Sequence, residues 1–188
     1  MSARFVFGYG SLVNPATHSY DQQHAAHLPG WRRVWRHPAG RKTAFLTVAR
    51  GEGAVDGMIF RVANADWPAL DIREDTYLRE KVAEVTHPLS AETDVSVYHA
   101  PDDLHVASAR PLPILQSYLD VVVQGYFRAF GAQGVADFFE TTDGWDAPVL
   151  NDRAAPRYVR HQSLSAEEML QTDFWLQQVS ARVVTSAP

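Results

Sequence analysis

Cysteine is absent from the 188 residues of this chain. Disulfide bonds and thiolate chemistry are therefore excluded, and any metal site would need histidine and carboxylate ligands. The absence is compatible with a cytosolic protein. The first residues also lack a basic segment followed by an apolar one, the pattern of a secretory signal. We therefore expect a cytoplasmic protein.

Long apolar runs and an excess of basic charge are also missing. No run approaches the roughly 18 apolar residues that span a bilayer, so we expect no membrane partner. The net charge of -5 at pH 7 argues against nucleic-acid binding, which needs a basic surface. Residues 31–37 are a local exception, because tryptophan and arginine alternate there. Binding of anions or bases is one interpretation, and an edge strand with Trp31, Arg33 and Trp35 on one face is the favoured one.

The apolar fraction of 46% is typical of a globular protein, and the length fits one domain. Strand patterns come first and helix patterns later, which favours an α+β fold. We expect a single domain over 1–188, with a β-rich core at 1–100 and a helical extension at 101–188 packed on it. Strands are predicted at 4–9, 32–36, 43–49, 55–62, 79–87 and 94–99.

Glycine-rich and helical patterns define the connections. Residues 50–54 are predicted to form a hairpin connection, and Gly57 a bulge or a close backbone approach. One helix is predicted from 66 to about 74, with apolar contacts from Trp67, Leu70 and Ile72. A second is predicted from 111 to about 130, with Gly131 as its stop. A third begins after Ser165, has a capping box with Glu168 and a staple between Leu164 and Met169, and ends near 180.

The turn after the first predicted strand is the first candidate site. Residues 7–12 form the sequence Phe-Gly-Tyr-Gly-Ser-Leu. Glycine permits close approach of the backbone to another group, and the amides that follow can point at one oxygen-rich ligand. A tight turn without a binding role is the alternative. Residues Tyr9, Gly10, Ser11 and Leu12 are the candidate binding loop.

A carboxylate at the end of the first predicted helix is the second candidate. Leu70 and Glu74 are four residues apart and therefore share a helix face. If Leu70 is buried, Glu74 lies near the interior, where partial burial raises the pKa of a carboxyl group and suits it to acid–base chemistry. A solvated glutamate at a helix end is the alternative.

The ordered set of motifs resembles the gamma-glutamylcyclotransferase-like superfamily. The family's Tyr-Gly-Ser-Leu turn is matched at 9–12, and its entry into an aromatic and basic strand at 28–33. A strand of the form Val-x-Gly-x-x-Phe-x-Val is matched at 55–62. The Leu-Asp-x-x-Glu element is matched at 70–74, followed by Tyr77 and a valine-rich strand at 82–85. The resemblance covers about residues 4 to 100.

The resemblance implies a mixed β-barrel-like core with flanking helices. It implies that Tyr9, Gly10, Ser11 and Leu12 bind the substrate and that Glu74 is the catalytic acid/base. The family reaction is cofactor-independent intramolecular aminolysis, in which a small γ-glutamyl compound gives 5-oxoproline and a released amine or amino acid. Glutathione is one candidate substrate. The identity of the leaving group and the oligomeric state are not predicted.

Two other function classes remain open. Asp75, a second acid directly after Glu74, and the short polar stretch that follows motivate a non-catalytic binding module for a γ-glutamyl group or small anion. The Trp–Arg strand and the C-terminal helices motivate an interaction protein.

Several other segments have a favoured structural interpretation. His18, His24 and His27 are expected on a surface loop or helix rather than on a metal. Residues 151–158 are expected to form a clasp whose arginines pair with surface acids. Residues 116–120 are expected to pack on the core, with covering of the barrel mouth as the alternative.

Overall fold

The computed structural model describes residues 4–38, 40–89, 93–101 and 111–186. Its main layer is a six-stranded sheet with the strand order β4-β5-β1-β3-β2-β7, and a smaller sheet has the order β6-β8-β9. The strands are β1 Arg4–Gly8, β2 Asp21–Arg36, β3 Phe45–Arg61, β4 Leu78–Val82, β5 Asp94–His99, β6 Ile114–Leu115, β7 Thr142–Asp143, β8 Val149–Leu150 and β9 Val183–Val184. The expected α+β class is confirmed.

In the described ranges, three α-helices accompany the sheets. They are α1 Trp67–Arg73, α2 Gln116–Glu140 and α3 Ala166–Gln178, and short 3₁₀ turns lie at Ser11–Val13, Pro15–Thr17 and Asn64–Asp66. Across the described ranges, no helix is both long and apolar enough to cross a membrane. One cluster of buried side chains contains residues from β1, β2, β3 and α2, so the long helix and the sheet share a core.

The predicted hairpin at 50–54 is wrong, because β3 runs through it as one strand of 17 residues. Its partner β2 has 16 residues and also includes 21–31, which were not predicted as strand. The antiparallel register passes from Trp31 opposite Arg50 to Pro29 opposite Ala54, so the glycines at 51 and 53 lie in a bulge. Glycine pairs occur in both bulges and turns, which is why the pattern suggested a chain reversal.

A closed barrel is not confirmed. The continuous ladder of the described strands runs from β4 to β7 and does not close. A single antiparallel bridge joins Thr86, just beyond β4, to His27 in β2. The two reciprocal backbone hydrogen bonds of this bridge are each 2.9 Å long. The segment after β4 therefore reaches β2, the strand next to the β7 edge, at one point.

Gly57 allows the close approach that the sequence suggested. A β-carbon at this position would lie 2.3 Å from the Gly8 carbonyl oxygen and 2.8 Å from the ring of Phe7. Both neighbours belong to β1, which pairs with β3 here. A side chain at 57 would therefore push the end of β1 away from β3.

The first and last helices largely match expectation. Trp67 and Leu70 are buried, but Ile72 is 76% exposed, so its predicted core contact is wrong. Helix α3 begins at Ala166, directly after its cap, and carries the predicted capping box between Ser165 and Glu168. It ends at Gln178, close to the predicted position.

Helix α2 begins later and ends later than predicted. It begins at Gln116, and Gly131 has a φ of 69° that separates two helical segments. Glycine at a left-handed φ is the expected helix stop, but a second segment follows it and continues to Glu140. The stop was therefore identified correctly and the following segment was missed.

The tryptophan–arginine segment has the favoured alternating arrangement. Trp31, Arg33 and Trp35 are all buried on one side of β2. The segment is not a free edge, because Arg33 and Val34 pair with β7. The anion-binding interpretation has no support in the geometry of Arg33, whose guanidinium is inside the protein.

The buried guanidinium of Arg33 is held by uncharged groups. Its Nη2 donates to the Asp56 carbonyl at 2.9 Å and to the Tyr126 hydroxyl at 3.0 Å, and its Nη1 donates to Thr141 Oγ1 at 2.7 Å. The Tyr126 hydroxyl also lies 3.0 Å from the Tyr9 carbonyl oxygen. A buried charge without such partners is very costly, so this network fixes α2 against the sheet.

We expect Tyr126→Phe to lower the free energy of unfolding by about 1–3 kcal/mol, because Arg33 loses a buried acceptor. Urea unfolding monitored by circular dichroism measures the change. Tyr20→Phe is the control, because the Tyr20 ring stacks on Phe60 and its hydroxyl has no hydrogen-bond partner among the described residues. An equal effect of the two variants would contradict this account of Arg33.

Candidate active site

A cleft at the end of β1 brings the two sequence-predicted elements together. It has an empty volume of about 340 Å³ including its open mouth. Its walls come from the turn after β1, the end of α1, strands β3 and β5, and the first turn of α2. The lining residues are Phe7, Gly8, Tyr9, Gly10, Ser11, Leu12, Leu46, Glu74, Tyr77, Tyr98 and Tyr118.

The turn is compact because its glycines lie against other groups. A β-carbon on Gly8 would lie 2.8 Å from the β-carbon of Leu12, and one on Gly10 would lie 2.7 Å from the Tyr118 hydroxyl oxygen. Neither glycine has a positive φ within the described chain. Close approach, rather than a left-handed torsion, is therefore what glycine provides here.

The binding loop is held in place by two side chains that follow it in the chain, Asn14 and Thr17. Thr17 Oγ1 lies 2.9 Å from the Ser11 carbonyl, and Asn14 is fully buried. The Asn14 side chain donates to the Val121 carbonyl at 2.9 Å and to the Gln124 side-chain oxygen at 2.8 Å. Helix α2 therefore supports the loop, and Ser11 is left at the cleft with partial exposure.

A chain of hydroxyl contacts joins the turn to the Leu-Asp-x-x-Glu element. The buried Tyr9 hydroxyl donates to the Tyr98 carbonyl at 2.7 Å, and the Tyr98 hydroxyl donates to the Asp71 carboxylate. Burial raises the pKa of Tyr9 above its ordinary value, so this side chain stays a neutral donor. The two motifs are thus tied to each other through β5.

Glu74 lies where α1 ends. Its N–H donates to the Leu70 carbonyl at 3.0 Å and its carbonyl accepts from the Tyr77 N–H at 2.8 Å. Its side chain is 16% exposed and forms an ion pair with Arg73, with 3.0 Å between Nε and Oε1. The predicted partial burial of this carboxylate is observed, and the solvated alternative is not.

Burial raises the pKa of Glu74, and this effect outweighs the lowering by the positive charges of Arg73 and Arg160. Asp75 adds a smaller upward contribution by charge repulsion. Asp75 itself is exposed and accepts a hydrogen bond from Thr76. The second acid therefore points away from the cleft and modifies Glu74 only weakly.

Arg73 is a site residue that sequence reasoning missed. Its side chain is only 10% exposed, and its Nη1 donates to the Thr17 carbonyl at 3.1 Å. It therefore joins Glu74 to the segment that follows the binding loop. Its position directly before Glu74 was the available signal, but adjacent residues on a helix do not usually face the same way.

Three further tyrosines complete the wall of the cleft: Tyr77, Tyr98 and Tyr118. Sequence reasoning placed only Tyr77 near Glu74. The Tyr77 hydroxyl donates to the Leu46 carbonyl at 2.8 Å. Burial raises the pKa of Tyr118 well above its ordinary value, although the Ser11 N–H opposes this by hydrogen bonding. Tyr118 belongs to the segment 116–120, for which packing on the core was favoured and covering of the barrel mouth was the alternative, and it contributes a side chain to the cleft.

The remaining candidates do not converge on this cleft. The ring of His18 lies against Phe60, and His24 and His27 belong to strand β2 rather than to a loop or helix. His27 Nδ1 lies 2.7 Å from the Asp56 carboxylate. In the described part of the chain, no group of three histidine or acidic side chains is placed to hold a metal ion.

The clasp at 151–158 pairs with more deeply buried acids than expected. Arg153 forms ion pairs with Asp120 at 2.7 Å and with Asp173 at 2.8 Å, and the Asp120 side chain is only 1% exposed. The buried Asp152 accepts from the Ser117 hydroxyl at 2.6 Å. The clasp therefore involves two buried acids, Asp120 of α2 and its own Asp152, as well as the more exposed Asp173.

With the fold and the cleft defined, the chain can be placed in a family. It belongs to the gamma-glutamyl cyclotransferase, AIG2-like family, whose model matches residues 6–118. The match includes every residue that lines the cleft, from Phe7 to Tyr118. No curated protein matches the chain.

Solved structures show the same fold at low sequence identity. A structure titled gamma-glutamyl cyclotransferase is 14% identical with a TM-score of 0.57, covering 94% of this chain and 99% of its own. The human uncharacterized protein loc79017 gives 14% identity and a TM-score of 0.57, covering 93% and 99%. YkqA from Bacillus subtilis gives 18% identity and a TM-score of 0.56, covering 77% of this chain, which spans 57% of that longer protein.

We expect the free energy of unfolding of Glu74→Gln, taken relative to that of the wild type, to be higher at about pH 8 than at about pH 5. Because the pKa of Glu74 is raised by burial, the folded protein binds this proton more tightly than the unfolded chain. The stability of the wild type therefore falls as pH rises from the ordinary glutamate pKa of about 4.3 through the raised one. Urea unfolding of both proteins at both pH values measures the difference.

Glu52→Gln is the matched control, because the Glu52 side chain is exposed in the β3 bulge. If the difference between wild type and Glu74→Gln were the same at both pH values, the burial of Glu74 would not be affecting its protonation.

We expect Gly10→Ala to destabilise the protein because its β-carbon would meet the Tyr118 hydroxyl at 2.7 Å. In a Tyr118→Phe background that oxygen is gone, and the next atom of the ring is 3.9 Å away. The cost of Gly10→Ala should then fall, giving a coupling of about 1 kcal/mol between the two sites. Urea unfolding of the four proteins measures it, and simple additivity would contradict the contact.

Proposed function

We propose that this protein is a γ-glutamyl cyclotransferase that converts a small γ-glutamyl compound to 5-oxoproline and a free amine. One observation supports the proposal above the others: the partly buried Glu74 and the turn Tyr9–Leu12 line one cleft. Family membership over residues 6–118 supports the same reaction class. The structure titled gamma-glutamyl cyclotransferase shares the fold.

The reaction is an acyl transfer within one molecule. The α-amine nitrogen of the glutamyl group forms a bond to its own γ-carbonyl carbon, and the bond from that carbon to the leaving nitrogen breaks. The attacking nitrogen loses a proton and the departing nitrogen gains one. Because ring closure is unimolecular, holding the glutamyl chain bent supplies much of the acceleration.

Glu74 would carry the proton between the two nitrogens. A carboxylate that accepts a proton from one group and returns it to another works best when its pKa is raised toward the operating pH. Burial raises the pKa of Glu74 in this direction, while Arg73 and Arg160 keep the charged form accessible. The ion pair with Arg73 also fixes the orientation of the carboxylate.

Residues Tyr9, Gly10, Ser11 and Leu12 would bind the glutamyl group and the oxyanion that forms during attack. The first N–H groups of a helical turn have no acceptor within that turn, and the turn at Ser11–Val13 begins at the cleft. Backbone donors that are already in place stabilise a developing negative charge without reorganising. The Tyr118 hydroxyl, which faces the Ser11 N–H, would be the group that substrate displaces or joins.

We expect Glu74→Gln to lower kcat by about 10²–10⁴-fold while the protein stays folded, because glutamine cannot transfer the proton. Release of 5-oxoproline is measured by chromatography with a panel of γ-glutamyl amino acids, γ-glutamylamines and glutathione. Asp75→Asn is the matched control, since the neighbouring acid is exposed and should keep most of the rate.

Full activity of Glu74→Gln would remove this residue from its role. If the folded wild type turned over no member of the panel but gained thermal stability from one of them, the protein would be a binding module for γ-glutamyl compounds instead.

A further inference from the structure

A second cavity adjoins the candidate active site and has a different chemical character. It lies between the start of β3, the end of the segment after Glu74, the first turn of α2 and the clasp, and its empty volume including the mouth is about 510 Å³. Its lining residues are Thr43, Ala44, Phe45, Leu46, Tyr77, Leu115, Tyr118 and Tyr158. None of these described residues is an acid or a base of the Asp, Glu, Lys, Arg or His type.

The two cavities share three walls. Leu46, Tyr77 and Tyr118 line both of them. The Tyr77 hydroxyl donates to the Leu46 carbonyl at 2.8 Å, which fixes this partition. A ligand held against Glu74 therefore has the second cavity directly beside it.

The aromatic walls of the second cavity are held in place by their neighbours. The Phe45 and Tyr77 rings meet edge to face with centroids 5.4 Å apart, and the Tyr118 and Tyr158 rings do so at 5.0 Å. Burial raises the pKa values of Tyr77 and Tyr118 well above the ordinary tyrosine value, so both stay neutral. The cavity is thus an uncharged space between ring edges and aliphatic side chains.

We infer that this second cavity receives the leaving group, and that the preferred substrates are γ-glutamyl amides of uncharged, apolar amines. The inference rests on the proposed function, which places the glutamyl half of the substrate against Glu74 and the turn. The released nitrogen then lies beside these shared residues, and its substituent reaches past their rim, through the open mouths of both cavities, into the apolar one. A charged substituent would lose hydration there without gaining a partner.

The test compares γ-glutamylpropylamide with γ-glutamylethanolamide, which have nearly the same shape and differ by a methyl or a hydroxyl group. We expect kcat/KM to be about tenfold higher for the propylamide, since the apolar end gains from burial and the hydroxyl does not. It should rise further for the phenethylamide, and it should fall for an amide of a diamine or of glutamate.

Leu115→Ala tests the site of this discrimination. Leu115 lines only the second cavity, so the variant should reduce the ratio of propylamide to ethanolamide kcat/KM by about threefold or more. A merely structural defect would lower both values equally. Val159→Ala is the control, because Val159, directly after the clasp, is 82% exposed and should leave the ratio unchanged.

The outcomes separate this inference from the proposed function. Turnover of the panel with equal or higher kcat/KM for the charged and hydroxylated amides would overturn the apolar leaving group and leave the cyclotransferase proposal intact. An unchanged ratio in Leu115→Ala would overturn the assignment to this cavity. Absence of 5-oxoproline from every substrate would overturn both proposals.

Discussion

The hydrogen-bonded group around the buried Arg33 is the constraint on which the rest of the structure depends. A guanidinium inside a protein must find acceptors, and here they are a tyrosine hydroxyl, a threonine hydroxyl and a carbonyl. Tyr126 belongs to α2 and links this helix to the group. Its hydroxyl oxygen also lies 3.0 Å from the Tyr9 carbonyl oxygen. The position of the glycine-bracketed turn is therefore set by a helix more than a hundred residues away in the chain.

At Glu74 two effects on the pKa of the carboxyl group oppose each other. Removal from water favours the neutral acid, and the cations at 73 and 160 favour the carboxylate, with the first effect larger. Without Arg73 the buried carboxyl group would hold its proton more tightly, whereas an exposed glutamate would lose the upward effect of burial on its pKa. Arg73 is itself anchored to the Thr17 carbonyl, so the balance is built into the scaffold.

Local patterns predicted what depends on neighbouring residues. The strand 94–99, the capping box of Ser165 and Glu168, and the placement of Glu74 after Leu70 are set by short-range periodicity and capping. The length of β3 and the pocket role of Tyr118 were not predictable in this way. The glycines at 51 and 53 fit a bulge as well as a turn, and only pairing with β2 decides between them. Tyr118 reaches the cleft only because α2 is fixed on the sheet, which is a long-range consequence.

The contribution of α2 to the cleft also bears on how the protein is made. Tyr118 is part of the wall, and Asn14 under the turn bonds to Gln124 and to the Val121 carbonyl. A nascent chain that has released only its first hundred residues from the ribosome contains strands β1, β2 and β3, but it lacks these supports. The cleft is thus completed only after residues 116–126 of α2 have emerged and docked.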